Sequence, residues 1–243
     1  MVEFGLLLVA GVAAGLSGSV AGLASLFSYP ALLATGLPAT TANVTNTVCL
    51  FFQGAGAAAG SRPELRGAGP RVRRWLLPAL GGGAAGAGLL LLTPEGGFER
   101  IVPFLVGGAA MLLLVPPRAG SARPPGPGVG IGVFAVGVYG GYFGAAAGVL
   151  MLALLASAPG ADLLRANALK NVLTWSANGI AAVGFALFGD VAWSAVPPLA
   201  LGLVAGAYLG PAVARRLPVR ALRIGIAVAG LALAVRLFVQ AWL

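Results

Sequence analysis

The chain has 243 residues, 59% of them apolar and only 9% charged, with a mean hydropathy of +0.96. An ordinary soluble domain carries about 25% charged residues, so this chain cannot cover a water-facing surface, and its apolar content suffices for about seven crossings of roughly 20 residues each. The formal net charge of +9 reflects 15 basic residues, all Arg but one, against six acids; most of the Arg lie in short loops between apolar runs, which orients membrane helices, and without a soluble basic domain a nucleic-acid role is excluded.

The apolar stretches fall, in order, at 4–36, 41–60, 72–92, 98–116, 128–158, 166–188, 191–214 and 221–242. The chain opens Met-Val-Glu without a basic leader region, so the first stretch is expected to be retained. The stretch 4–36 is too long for one span and carries clustered glycine at Gly15, Gly18 and Gly22; 128–158 does the same at Gly137, Gly140, Gly141 and Gly144. Glycine at this density weakens a continuous helix and permits unwound backbone. Breaks are therefore expected at Gly18, Gly22, Gly140, Gly141 and Gly144, making each long stretch a hairpin.

The two long stretches open an internal repeat. At an offset of 122, Gly15, Gly18 and Gly22 fall on Gly137, Gly140 and Gly144; after a two-residue insertion, Asn43 falls on Asn167, Asn46 on Lys170 and Thr47 on Asn171. Their order, and the matching long–short–short–short pattern of stretches, point to duplication. The expected organisation is a first transmembrane repeat at 1–116, a cytoplasmic linker at 117–127 and a second repeat at 128–243.

Loop charge selects the topology. Eight single crossings divide the basic residues almost evenly between the two sides. If each long stretch enters and returns to the same side, then Arg62, Arg66, Arg71, Arg73, Arg74, Arg118, Arg123, Arg165, Lys170, Arg215, Arg216, Arg220 and Arg223 share one side, leaving Arg100 and Arg236 on the other. Each half then has an odd number of full crossings, so the halves are inverted, a recurrent plan of secondary transporters with broken helices near the midplane. Both chain ends face outward. Whether the hairpins are re-entrant or cross fully as pairs of short tilted helices stays open.

The polar residues narrow the chemistry. There is no His, and Cys49 is the only cysteine, so no metal site and no cofactor is expected. Glu3, Glu64, Glu95, Glu99, Asp162 and Asp190 all lie at or near the ends of stretches, which disfavours cation transport and intramembrane hydrolysis. Anion binding remains. Lys170 is the sole lysine in a chain that otherwise uses Arg, and a compact ammonium at that one place suggests a site rather than a snorkelling anchor. Asn43, Asn46 and Thr47, and likewise Asn167, Lys170 and Asn171, share a helical face at i, i+3, i+4; such faces line a polar path or hydrogen-bond helices together. Ser17, Ser19 and Ser25 in the first hairpin, and Tyr139 and Tyr142 in the second, offer hydroxyl donors.

Taken together, Tyr29-Pro30-Ala31-Leu32-Leu33, Gly36-Leu37-Pro38, Ala42-Asn43, Tyr139-Gly140-Gly141-Tyr142-Phe143-Gly144 with Gly148, Arg165-Ala166-Asn167-Ala168-Leu169-Lys170-Asn171, Tyr208-Leu209-Gly210 and Arg215-Arg216-Leu217-Pro218 resemble the TauE/SafE sulfite exporter family over nearly the whole chain. The resemblance implies a multi-pass bacterial inner-membrane transporter of small sulfur-containing anions such as sulfite or sulfoacetate, with the hairpins and the Asn/Lys motif around the substrate path. The first hairpin departs from the family pattern where Ala24, Ser25 and Leu26 replace expected glycines, which leaves the substrate open.

The expected fold is thus an all-α polytopic membrane protein of two inverted repeats, each a glycine-broken hairpin plus about three helices. The expected function is secondary transport of a small anion by alternating access, without enzymatic activity. Expected substrate contacts are Lys170, Asn167, Asn171, Asn43, Asn46, Ser17, Ser19 and Tyr142. The expected partners are the anion and the lipid bilayer, with monomer and homodimer both open. The alternatives are a transporter or channel for other small anions, or a non-transporting membrane scaffold.

Overall fold

The computed structural model describes residues 2–94, 96–114, 128–156, 163–214 and 219–242. The expected linker at 117–127 lies outside them, as do Glu95, Asp162, Arg215 and Arg216. The regular structure among the described residues is entirely helical, in ten elements: α1 Val2–Ala21, α2 Ser25–Ala34, α3 Ala39–Gly60, α4 Gly69–Leu91, α5 Gly97–Leu114, α6 Gly128–Tyr142, α7 Ala147–Ala156, α8 Leu163–Phe188, α9 Val196–Ala214 and α10 Val219–Trp242. Eight apolar stretches become ten helices because each long stretch splits once, into α1–α2 and α6–α7.

Both splits occur at glycines with left-handed backbone, Gly22 (φ +73°) and Gly144 (φ +80°), the conformation in which glycine ends helices at no steric cost. The other expected break positions are corrected. Gly18 lies inside α1, and Gly140 and Gly141 lie inside α6. Gly18 faces the side chains of Gln53 and Ala24 and Gly140 that of Ala147, whereas at Gly141, as at Gly15, another backbone comes close. A Cβ on Gly141 would meet the carbonyl of Gly83, and one on Gly15 the carbonyl of Leu203.

These close approaches organise the helices. Gly11 and Gly15 of α1 pack on Gly202 and Gly206 of α9, side by side in the same direction; Gly82 and Gly86 of α4 pack in the same way on Gly137 and Gly141 of α6. α3 runs antiparallel to α8, with Asn171 bonded to Ser61 and Phe51 stacked on Trp175. α5 runs antiparallel to α10, with Phe104 against Phe238 and the indole N–H of Trp242 donating to the Arg100 carbonyl. Advancing each element by five exchanges the α1–α9 pair for the α6–α4 pair and returns α3–α8 and α5–α10 to themselves.

Polarity is distributed as a lipid environment demands. Thr41, Asn43, Thr45, Asn46, Thr47 and Gln53 of α3 are buried, whereas Val9, Leu77, Leu92, Met111, Ile131 and Phe188 are exposed. By length and composition, one helix among the described residues, Arg165–Phe188, is long and apolar enough to cross a membrane; others, such as Glu3–Ser19 and Val196–Leu209, are apolar but shorter. Interior-facing Asn and Thr lower the hydropathy of α3 without touching lipid.

Candidate functional site

Where the two breaks meet α3 and α8, the chain encloses a cavity of about 50 Å³, lined among others by Gly18, Gly22, Gln53, Gly144, Lys170, Asn171, Thr174, Trp175 and Asn178. The tips of the broken hairpins form one wall. Gly22 sits against Gly148, where a Cβ on Gly22 would come within 2.7 Å of the Gly148 carbonyl carbon. Tyr29 of α2 meets Phe143 of the second break edge-on, with ring centroids 5.4 Å apart. Ala146, in that same break, holds a left-handed φ of 58°, a strain of about 1–2 kcal/mol for a residue with a Cβ.

The opposite wall is a polar stripe on α8. Lys170, Thr174 and Asn178 recur at i, i+4, i+8 and share a face with Asn171 and Trp175. Lys170 is 1% exposed, and its Nζ has no hydrogen-bonding partner among the described residues. The indole nitrogen of Trp175 is likewise buried and unpartnered. Asn171 Nδ2 donates to Ser61 Oγ at 3.0 Å, fixing the start of α8 to the end of α3. Among the described residues, no carboxylate lines the cavity. Glu99 and Asp190 accept hydrogen bonds from Thr40 and Thr41 at the far end of α3.

The expected contacts divide into four groups. Lys170 and Asn171 line the cavity, as do Gly18, Gly22 and Gly144. Asn43, Asn46 and Tyr142 lie outside it and brace the hairpins: Asn43 Nδ2 donates to the Tyr142 carbonyl at 2.8 Å, Ser28 Oγ donates to Asn46 Oδ1 at 2.5 Å, and the Tyr142 hydroxyl lies 3.4 Å from Thr93 Oγ1. Ser17 and Ser19 also lie outside, their hydroxyls donating to the carbonyls of Ala14 and Leu16 in their own helix. Asn167 sits nearer the start of α8, with Oδ1 buried and unpartnered.

Gln53, Thr174, Trp175 and Asn178 were missed by the sequence reading. Helical spacing was the available signal. Gln53 follows Asn46 by seven residues, and Thr174 and Asn178 follow Lys170 by four and eight.

The cavity offers donors and one positive charge. A buried unpaired charge costs several kcal/mol unless a counter-charge answers it, so this chemistry suits an anion. No group of three or more His, Cys, Asp or Glu that could hold a metal occurs among the described residues.

Sequence comparison agrees with a membrane role. The family model described as "Sulfite exporter TauE/SafE" matches residues 7–237. A "Probable membrane transporter protein ORF9" from a Sinorhizobium species is 28% identical over 240 residues, covering 95% of this chain and 90% of that protein. A "Probable membrane transporter protein" of Haemophilus influenzae is 28% identical over 214 residues, covering 84% and 82% respectively. No solved structure gives a significant match.

Proposed function

This chain belongs to the sulfite exporter TauE/SafE family, and on that premise we propose that it is a secondary transporter of a small sulfur oxyanion or sulfonate, such as sulfite or sulfoacetate, in the bacterial inner membrane. The observation that carries the proposal is Lys170: a buried ammonium that has no hydrogen-bonding partner among the described residues and lines a cavity in which they place neutral donors and no carboxylate. A cavity of about 50 Å³ exceeds what one water needs, which suits a small ion.

Lys170 supplies the charge in this reading, and Asn171, Gln53, Thr174, Trp175 and Asn178 the hydrogen bonds. Asn43, Asn46 and Tyr142 hold the hairpin tips in register. The two halves, 1–116 and 128–243, are inverted repeats that rock about the cavity to give alternating access. The exchange of the α1–α9 and α6–α4 pairs supports that symmetry. Export of an anion runs with an inside-negative potential, at about 2.3 kcal/mol per charge per 100 mV.

The test is the melting midpoint of the purified protein against millimolar sulfite, thiosulfate, sulfate, sulfoacetate, acetate and chloride. A ligand that binds only the folded state raises the midpoint in proportion to ln(1 + [L]/Kd). A selective shift with sulfur anions is expected; a response to acetate alone overturns the substrate class.

A further inference from the structure

We infer that the anion travels between the Lys170 cavity and the end of the molecule that carries Arg236 by a route walled throughout by α2, with the Tyr29 hydroxyl as the hydrogen-bond donor at its midpoint. The inference rests on the transport reading above. Three cavities share lining residues in sequence. Ser25 borders both the Lys170 cavity and a middle cavity of about 230 Å³. Pro30 and Leu233 border both that middle cavity and an outer one of about 340 Å³ between α2, α5 and α10. The series grows from about 50 Å³ at Lys170 to about 340 Å³ at the mouth, where Glu99, Arg236 and Gln240 stand.

Tyr29 is the informative residue. It lines the middle cavity, is 1% exposed, and its hydroxyl has no hydrogen-bonding partner among the described residues. The remaining named walls there include Leu26, Val106, Phe143 and Leu233, so Ser25 and Tyr29 are the side chains with a hydroxyl to offer a passing anion. Buried hydroxyls are ordinarily paired, and a donor kept unpaired beside a cavity is matched to a transient guest. The mouth carries one charge of each sign, Arg236 and Glu99, so recognition along the passage falls to the Tyr29 hydroxyl rather than to net charge.

Two variants test the route. Tyr29→Phe keeps the ring against Phe143 and removes only the unpaired hydroxyl, so the expected result is an unchanged melting midpoint, an unchanged sulfite-induced shift and a sulfite flux into proteoliposomes reduced at least five-fold. In a Cys49→Ala background, which removes the single cysteine, Leu233→Cys is expected to react with 2-sulfonatoethyl methanethiosulfonate, itself a small sulfonate, added on the Arg236 side, and flux is expected to stop. If the wild-type protein neither binds nor moves any of the anions, the transport reading falls and the route with it. If the wild-type protein does both, while Tyr29→Phe flux stays within two-fold and labelled Leu233→Cys still transports, the route alone is overturned.

Discussion

Phe51 and Trp175 stack across the middle of the molecule, ring centroids 5.9 Å apart and planes inclined at 26°. They are 124 residues apart, the spacing that also carries Asn46 onto Lys170 and Thr47 onto Asn171. Residues at the repeat spacing expected from the sequence therefore touch one another, and the cavity lies beside that contact. Trp175 contributes an unpartnered indole N–H to this environment. Trp175→Phe preserves a ring to stack on Phe51 and removes the donor. A hydrogen bond to a charged group contributes about 1.5–3 kcal/mol, so anion affinity is expected to fall at least ten-fold while the ligand-free midpoint changes little. Titration of the midpoint with sulfite checks this; unchanged affinity removes Trp175 from the site.

Lys170→Met deletes the charge and keeps most of the side-chain volume. Because Nζ has no protein partner among the described residues, its removal strands no carboxylate, and burial of an unpaired ammonium is relieved. The ligand-free midpoint is therefore expected to hold or rise, with the anion-dependent shift abolished. A Lys170→Met protein that still responds to sulfite places the binding site elsewhere.

Much of this arrangement is legible in the sequence, and the illegible part has a physical cause. The sole lysine and its neighbour Asn171 mark the face of α8 that borders the cavity. The exact break positions are hidden, because whether a helix survives Gly15 or Gly141 depends on a backbone in the other half of the chain, Leu203 or Gly83. Ser17 and Ser19 look like donors in a glycine-rich hairpin, yet serine in a helix readily bonds the carbonyl a turn back, as both do here. Asn43 and Asn46 have the same spacing as the Lys170 motif but face the hairpins they brace.

Two of the left-handed glycines separate conformation from contact. Gly22 and Gly36 have similar φ, +73° and +83°, but a Cβ would crowd Gly148 in the first case and meet nothing within 4 Å in the second. Alanine at either costs about 1–2 kcal/mol for the left-handed backbone. Gly22→Ala is expected to lose a further 1–3 kcal/mol, roughly, through overpacking and to impair flux, because the hairpin tip wall moves. Comparing the two melting midpoints isolates the contact; equal losses show that the Gly22–Gly148 approach contributes nothing.

The glycine seam between α1 and α9 gives a sharper contrast. A Cβ on Gly206 would press on the Val12 carbonyl and lie 2.9 Å from the Leu16 nitrogen, whereas one on Gly5 meets open space. Gly206→Ala is expected to destabilise by about 1–3 kcal/mol or more. Gly5→Ala, in the same pair of helices, is expected to be neutral or to gain up to about 1 kcal/mol of helix propensity. Melting in one detergent at matched concentration checks both, and a neutral Gly206→Ala refutes close backbone contact there.

Topology offers the last prediction. The indole of Trp242 reaches the Arg100 carbonyl, so the end of α10 lies beside the start of α5. α1 runs parallel to α9 from the end where Thr41 bonds Asp190, which puts the start of the chain at that same end of the bundle. The Arg-rich segment between α3 and α4 lies at the other end, where Asn171 meets Ser61. If the positive-inside rule governs insertion, that Arg-rich end is cytoplasmic and both chain ends are periplasmic. Alkaline phosphatase fused after Leu243 is then expected to be active and a green fluorescent protein fused there dark, with the reverse for fusions after Arg66. A fluorescent fusion after Leu243 reverses the assignment of sides and sends the Arg236 mouth to the cytoplasm, turning the proposed route from an exit into an entrance.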